Sequence, residues 1–558
     1  MGLPTKAKRK AGVRCRQRAK TGHQDRNQAK QQARSCKIKN LRPRFCPEDK
    51  LLKRFYEPLV LLHVLDRQDE QRISRSGVDD SCLPDIQVRE LRRILLDQLA
   101  YICDYLKGGA TVTAMALETR PSGLIIWLAS NDKPKPKVVT FLREVLDLLT
   151  SLSDSDSEHA RARVEADLAQ KIIAFNLKKI KAYRDLMRPH LHRCLLLLGK
   201  SDHERDRIAE AWLSEFNDVN RTLEGLSHHA YKERAGQGMA ELRRQIAIGT
   251  AEPSDTNSKR TAFATVRHYI GRLGSHLKAT KTLVAAAHRL PELLPGVLEG
   301  YSIECRPSPG KSKTAPPTDN LTTLNGIVNR MISGDKTKLQ QYQEALAFMD
   351  AKFHILDRLL AVYKHKDFKP RVHAELILLD FFHQNRLEFV DDDKFIGCSK
   401  PACYCCYHYI SSHPGGFVRP ASHGIRYLSW RPPGMVVSAS DSQKKFQRNV
   451  LNSMIAQIRL DTLRQIAQRR GPSGWRFDST TGITSSMDGD GLGLTVLQSS
   501  ERADSSISTE QAGSDRLPVD TSYSEREEAY ADGISEGVHD DEDSSVTSDS
   551  DGGVPLLD

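Results

Sequence analysis

No apolar run in these 558 residues approaches the length of about 18 that a membrane-spanning helix needs. Leu195 to Leu198, followed by Gly199, is short and hemmed in by Arg193 and Lys200. The N-terminus lacks the apolar core of a secretory signal. Met1-Gly2 opens like a myristoylation site, but Lys6 stands where Ser or Thr is required. A disulfide framework is also missing: the 11 cysteines are odd in number and cluster only at 398–406. These absences predict an intracellular protein, nuclear or cytoplasmic, with no membrane partner and one metal or redox site. Hydrophobic residues make up only 39% of the chain, which predicts that part of it does not pack into a core. No internal repeat is present.

What is there is strongly polarised in charge. Residues 1–45 carry fifteen Lys/Arg and one acid, without apolar periodicity, and read as a disordered basic arm. Within it, Lys6-Ala-Lys-Arg-Lys10 is a candidate nuclear import signal. Residues 476–558 read as a disordered acidic tail, with twenty Asp/Glu and three Arg from 477 on. The net charge of +12 therefore leaves a body of about +15, which favours a polyanionic partner such as nucleic acid or a nucleotide. The tail is a candidate competitor for that partner.

Apolar spacing organises the body. Residues 46–85 read as a helix, with Leu51, Leu52, Phe55, Leu59 and Leu62 in phase, and a polar loop at 68–84. Val88 to Leu106 is a stronger helix stopped by Gly108-Gly109. A hairpin follows: Thr111 to Glu118, a turn at Arg120-Pro-Ser-Gly123, and the continuous apolar run Leu124 to Ala129 of a buried strand. Residues 135–300 predict helices at 138–152, 160–198, 206–226 and 260–290. A Pro/Ser linker at 305–320 and a long helix at 336–363 come next. Lys369-Pro370 breaks that helix. Val372 to His383 then predicts a helix, Lys394 to Ser399 a strand, Cys403 to His413 a short helix, Gly424 to Trp430 a strand and Ser440 to Arg470 a long helix.

The chemistry concentrates between His373 and Cys406. His373-Ala-Glu375 opens one helix, and Cys403-Tyr-Cys-Cys406 follows a strand and opens another. One imidazole and two thiolates give zinc three protein ligands and leave a fourth position for water, the arrangement of a catalytic site. His and Glu two positions apart do not share a helix face, so both reach one centre only at the helix mouth, where Pro370 places the start. Two helix N-termini pointed at a metal favour thiolate through their partial positive charge. A structural zinc has no use for a nearby carboxylate that is not a ligand. A deaminase needs one, Glu375 here, to carry a proton from water to the ring nitrogen and the leaving ammonia. Cys398 reads as a small packing residue and Cys405 as an alternative ligand; His408 and His413 read as surface or capping residues.

These residues, with Ile396-Gly-Cys-Ser-Lys-Pro-Ala-Cys403 and Tyr427-Leu-Ser-Trp430-Arg-Pro-Pro433, resemble a fungal nucleic-acid-deaminase-like family of the cytidine-deaminase-like superfamily, related to bacterial deaminase toxins. Ala402 departs from the pattern, which has Pro directly before the first Cys. The resemblance covers about 370–435. It implies an α/β fold, a three-layer α/β/α cytidine-deaminase-like domain, with one zinc on His373, Cys403 and Cys406 and Glu375 as the proton carrier. Such a fold needs a hairpin beside the 394–399 strand, and the segment just upstream of His373 offers none. The expectation is therefore a split domain: 86–132 supplies its first helix and hairpin, 133–369 is a large all-helical insertion, and 370–475 completes the core with the zinc site. Asn131, at the end of the second strand, would then bind the sugar of a nucleotide. The expected function is zinc-dependent hydrolytic deamination of a nucleobase in nucleic acid. The alternatives are a catalytically inactive zinc-binding module that serves as an interaction scaffold, and a metal-free scaffold that binds nucleic acid through the basic arm.

Overall fold

The structure is a computed structural model that describes residues 45–65, 73, 86–152, 157–248, 256–290, 301–311, 317–332, 334–364, 369–434 and 440–471. The basic arm (apart from Phe45), the import signal, most of the 68–84 loop and the acidic tail lie outside them. The described elements are mixed α/β and mostly helical, with one four-stranded sheet. No described helix is long and apolar enough to cross a membrane.

Helices α1 (Pro47–Leu65) and α2 (Val88–Cys103) precede the hairpin of β1 (Thr113–Arg120) and β2 (Gly123–Ser130). Its antiparallel register runs from Thr113↔Ser130 to Arg120↔Gly123. Helices α3 (Pro136–Thr150), α4 (Glu158–Phe175), α5 (Leu177–Leu198), α6 (Glu204–Ser214), α7 (Leu223–Glu233), α8 (Gln237–Ile248) and α9 (Thr256–Arg289) follow. Then come β3 (Tyr301–Arg306), α10 (Leu324–Met331), α11 (Lys336–Phe353), α12 (Ile355–Lys364), α13 (Ala374–Asn385), β4 (Gly397–Cys398), α14 (Tyr404–Ser412) and α15 (Asp441–Gln468).

The sheet order is β3-β2-β1-β4. β4 pairs antiparallel with β1 through Ala114↔Cys398 and Met115↔Gly397, so a hairpin near residue 120 and a strand near residue 400 share one sheet. Alternation along β1 divides its side chains between two cores, as the pleat requires. Met115 and Leu117 pack with α2, α3 and the end of α9. Ala114 and Ala116, with Ala129 of β2, pack with α1, α13, α14 and α15. The small side chains on that second face let α13, whose start carries His373 and Glu375, lie close to the strands.

α9 joins two cores along its length. Ala262 to Leu277 pack against α5–α8, whereas Ala279 to Leu290 enter the core beneath the sheet. A fourth cluster gathers α1, α10–α12 and the end of α15.

Several elements differ from expectation for local reasons. The expected helix at 160–198 is two, broken at Asn176, whose Nδ2 donates to the carbonyls of Ile102 and Ile172. That at 336–363 breaks at His354, which is left-handed with φ 52°. Tyr301–Arg306, partly in the expected linker and within the stretch expected to be all helical, is a strand parallel to β2, from Leu124↔Tyr301 to Ala129↔Arg306. The 424–430 segment is not a strand. Ser422 Oγ accepts from Gly424 N and His423 Nδ1 from Ile425 N, so side chains take the backbone groups a ladder would use. Of 394–399, only Gly397–Cys398 is strand.

Gly397 marks the closest approach of α2 to the sheet. A Cβ there would lie 2.8 Å from the carbonyl carbon and Cβ of Leu96 and 3.0 Å from the nitrogen of Asp97. Gly397→Ala should therefore cost about 1–3 kcal/mol as β4 is pushed from α2. Chemical denaturation of the full chain reads this directly, and unchanged stability would show that the contact yields freely.

Candidate metal centre and cleft

The site is built where α13 and α14 begin. His373 is the N-cap of α13 in extended conformation (φ −79°, ψ 154°), and its ring makes no capping bond. The cap function is met from across the sheet: Asn131 Oδ1 accepts from Ala374 N at 2.8 Å. The same amide donates from Nδ2 to the carbonyl of Gly109 at 2.7 Å. Asn131 is buried, and it fastens the end of β2, the 108–109 turn and the start of α13 together. Cys403 is the N-cap of α14, its Sγ accepting from Cys406 N.

His373 Nδ1 lies 3.6 Å from Cys403 Sγ and 3.3 Å from Cys406 Sγ. These three residues form the metal-capable cluster found among the described residues, their donor atoms all within 4.8 Å of one another. Zinc with nitrogen at about 2.0–2.1 Å and sulfur at about 2.3 Å in tetrahedral geometry sets the N···S separation at about 3.5 Å. The donors therefore fit zinc in kind and in spacing. Cys403 and Cys406 are buried, while His373 retains some exposure. Trp430 Nε1 donates to Cys406 Sγ at 3.2 Å, a bond that stabilises sulfur in its thiolate form.

Protonation follows from this packing. Burial opposes the Cys403 thiolate, but hydrogen bonding with Cys406 and the charge of His373 outweigh it and hold the thiol well below its usual range. Burial, with the neighbouring Cys403, pushes Cys406 the other way. The two sulfurs thus behave as a pair that shares a proton when no cation is near. Burial works against the His373 cation, yet the Cys403 thiolate raises its pKa on balance. Burial likewise raises Glu375, which is 5% exposed.

Glu375 is not in the donor cluster but lines the adjoining cleft, a cavity of about 190 Å³. Cys398 Sγ approaches Glu375 Oε2 at 4.0 Å. Around them stand Asp97 and Tyr101 of α2, Phe395, Lys400 and Phe417. Asp97 Oδ1 also accepts from Cys398 N, tying α2 to β4 at the cleft wall. A carboxyl whose pKa is raised by burial beside an apolar, partly aromatic cleft, next to three donors able to hold a metal, is suited to proton transfer on a bound molecule.

The structure therefore brings His373, Cys403, Cys406, Glu375 and Asn131 into one neighbourhood. Cys405, the alternative ligand, is buried outside the cluster, with its thiol pushed up by burial. His413 is a C-cap, as one reading had it, but buried rather than at the surface. Sequence reasoning missed Asp97 and Tyr101, whose only signal was their place on the apolar helix preceding the hairpin. It also missed the Trp430 bond to Cys406.

Comparison with known proteins agrees with this geometry. Residues 372–434 match the family model OTT_1508_deam, described as a "-like deaminase". Neither curated proteins nor solved structures yielded a match. The chain thus carries a deaminase-like domain over the segment that contains His373, Glu375, Cys403, Cys406 and Trp430.

Two outcomes test this site. Cys403→Ser and Cys406→Ser should each abolish the binding of about one zinc per chain, read by metal analysis of purified protein; full retention in both would remove them as ligands. Asn131→Ala leaves the Ala374 amide without its acceptor and should cost about 1–3 kcal/mol in chemical denaturation.

Proposed function

We propose that the protein is a zinc-dependent hydrolytic deaminase that acts on a nucleobase within nucleic acid. The observation that carries the reading is the position of Glu375: buried, outside the His373, Cys403 and Cys406 cluster, yet lining the cleft beside it. Zinc on those three residues would supply Lewis-acid activation of a water. Glu375 would carry two protons in turn, the first from the attacking water to the ring nitrogen and the second from the hydroxyl left on the ring carbon to the departing amine. In balance, one water is consumed, the exocyclic amino group leaves as ammonia, and a carbonyl takes its place. No oxidant or reductant is needed.

The surrounding residues support the rest of the reading. Phe395, Phe417 and Tyr101 give the cleft apolar faces against which a base can rest. In this reading the hairpin in 86–132 and the segment 370–475 supply the catalytic site, while 133–369, inserted between them, returns β3 to the same sheet and α3 and α9 to one of its faces. The alternate packing of β1 into two cores and its pairing with β4 support that division. Asn131 retains a second hydrogen on Nδ2 and a second lone pair on Oδ1, which leaves capacity for the sugar contact while it fastens α13.

Mass-spectrometric detection of base conversion across free nucleosides, single-stranded DNA and single-stranded RNA tests the proposal. Wild type should convert at least one base. Glu375→Gln should retain zinc and lose turnover by about two to four orders of magnitude. Zinc binding with no conversion of any substrate would instead identify a binding module, and an undiminished Glu375→Gln rate would remove the proton carrier.

A further inference from the structure

A strip of unpaired cations runs from the end of β2 across the outer face of α5. It begins after Asp132, whose carboxylate pairs with Arg371, where Lys133, Lys135 and Lys137 alternate with prolines and are exposed. Lys137 sits over the ring of Tyr105 at 3.5 Å and near that of Phe175 at 5.2 Å, and Phe175 stacks on Phe141 at 3.8 Å. Burial against these rings, then the charges of Lys178 and Lys135, lower the Lys137 pKa, so the first lysines and the start of α5 form one electrostatic neighbourhood. Along α5, Lys178, Lys181, Arg188, His192 and Arg193 are exposed. Lys178 to Arg188 span about 15 Å of helix. The sole acid of α5, Asp185, is engaged by Arg184. Among the described residues, Lys133, Lys135, Lys178, Lys181 and Arg188 have no acidic partner in hydrogen-bond or ion-pair range.

The Lys133 end of the strip lies two residues from Asn131, which accepts from Ala374 N beside His373 and Glu375. On the inner face of α5, Lys179 pairs with Asp104 in full burial, and Tyr183 lies close enough to cleft-lining Lys400 to feel its charge. An ordinary solvated helix face alternates signs, whereas this one gathers charge of one sign. Concentrating unpaired cations costs self-repulsion, which a polyanion relieves.

We propose that this track, Lys133–Lys135 with Lys178, Lys181 and Arg188, binds the phosphodiester backbone of a single-stranded nucleic acid and delivers it to the cleft. The inference rests on reading the cleft as a nucleobase site. A base can enter a buried cleft only out of its stack, which favours a single strand. A basic surface that follows the backbone is how such strands are held without sequence preference.

The test measures binding of labelled single-stranded DNA and RNA oligonucleotides to the full chain over a salt series, independent of turnover. Lys178→Gln/Lys181→Gln/Arg188→Gln should reduce the slope of log K against log salt by about two, because each lost phosphate contact to a single strand is worth about 0.7. The charge-preserving Lys178→Arg/Lys181→Arg should keep both slope and affinity. So should a control of equal charge loss elsewhere, Lys336→Gln/Lys444→Gln/Lys445→Gln. A triple α5 variant that retains the wild-type slope, an equal loss in the control, or a wild type that binds neither oligonucleotide each overturns the track. Conversion of a free nucleoside by a wild type that binds no strand would overturn the track while the deaminase chemistry stands. Strand binding lost in the α5 variant with no base converted by wild type would uphold the track and overturn the chemistry.

Discussion

Every functional group of the site depends on the pairing of β1 with β4. Two residue pairs, Ala114 with Cys398 and Met115 with Gly397, bring the hairpin and the segment leading to the candidate metal donors into one sheet. From that junction the rest follows geometrically. The alanines of β1 and β2 set the depth of α13, Asn131 at the end of β2 meets the first amide of α13, and Asp97 on α2 meets the amide of Cys398. The bonds at this junction are main-chain or side chain to main-chain. That anchors the backbone at Ala374, next to His373, and at Cys398.

The electrostatics of the centre show why burial serves it. Desolvation pushes both cysteines and Glu375 toward their neutral forms, and the net shift is upward for Cys406 and Glu375. Cys403 escapes because a neighbouring thiol and imidazole share its charge. A divalent cation bound by this cluster would meet a partly prepared ligand set and would displace a proton from the other sulfur. Glu375, one step outside, keeps the raised pKa of a group able both to give and to accept a proton.

The site was legible in the sequence where its signals are local. His-x-Glu and Cys-x-x-Cys each announce a helix start, and the helices begin one or two residues from where spacing placed them. The hairpin was legible because a continuous apolar run between turn residues admits few other structures. What escaped lies where side chains capture backbone groups or where partners are distant. Tyr301–Arg306 does alternate apolar and polar residues as a strand does, but over only six positions beside a proline-rich stretch, and its pairing with Leu124–Ala129 is a tertiary decision. The 424–430 run has strand-like composition, but Ser422 and His423 turn it. Asp97 and Tyr101 became cleft residues only through contact with a segment some 300 positions away.

The hairpin's two edges have a consequence during synthesis. A ribosome completes β1 and β2 long before it reaches Tyr301, and longer still before Gly397. Through that interval both flanks of a strongly apolar hairpin present unsatisfied main-chain donors and acceptors, the usual template for unwanted pairing between chains. The helices that emerge meanwhile, α3 and then α9, cover one face of the hairpin but neither edge. Correct assembly therefore waits on closure of a very long loop, which is slow by its entropy. The nascent protein should depend on chaperones in proportion to that delay, and a transcript cut short before residue 397 should yield aggregate rather than a smaller soluble domain.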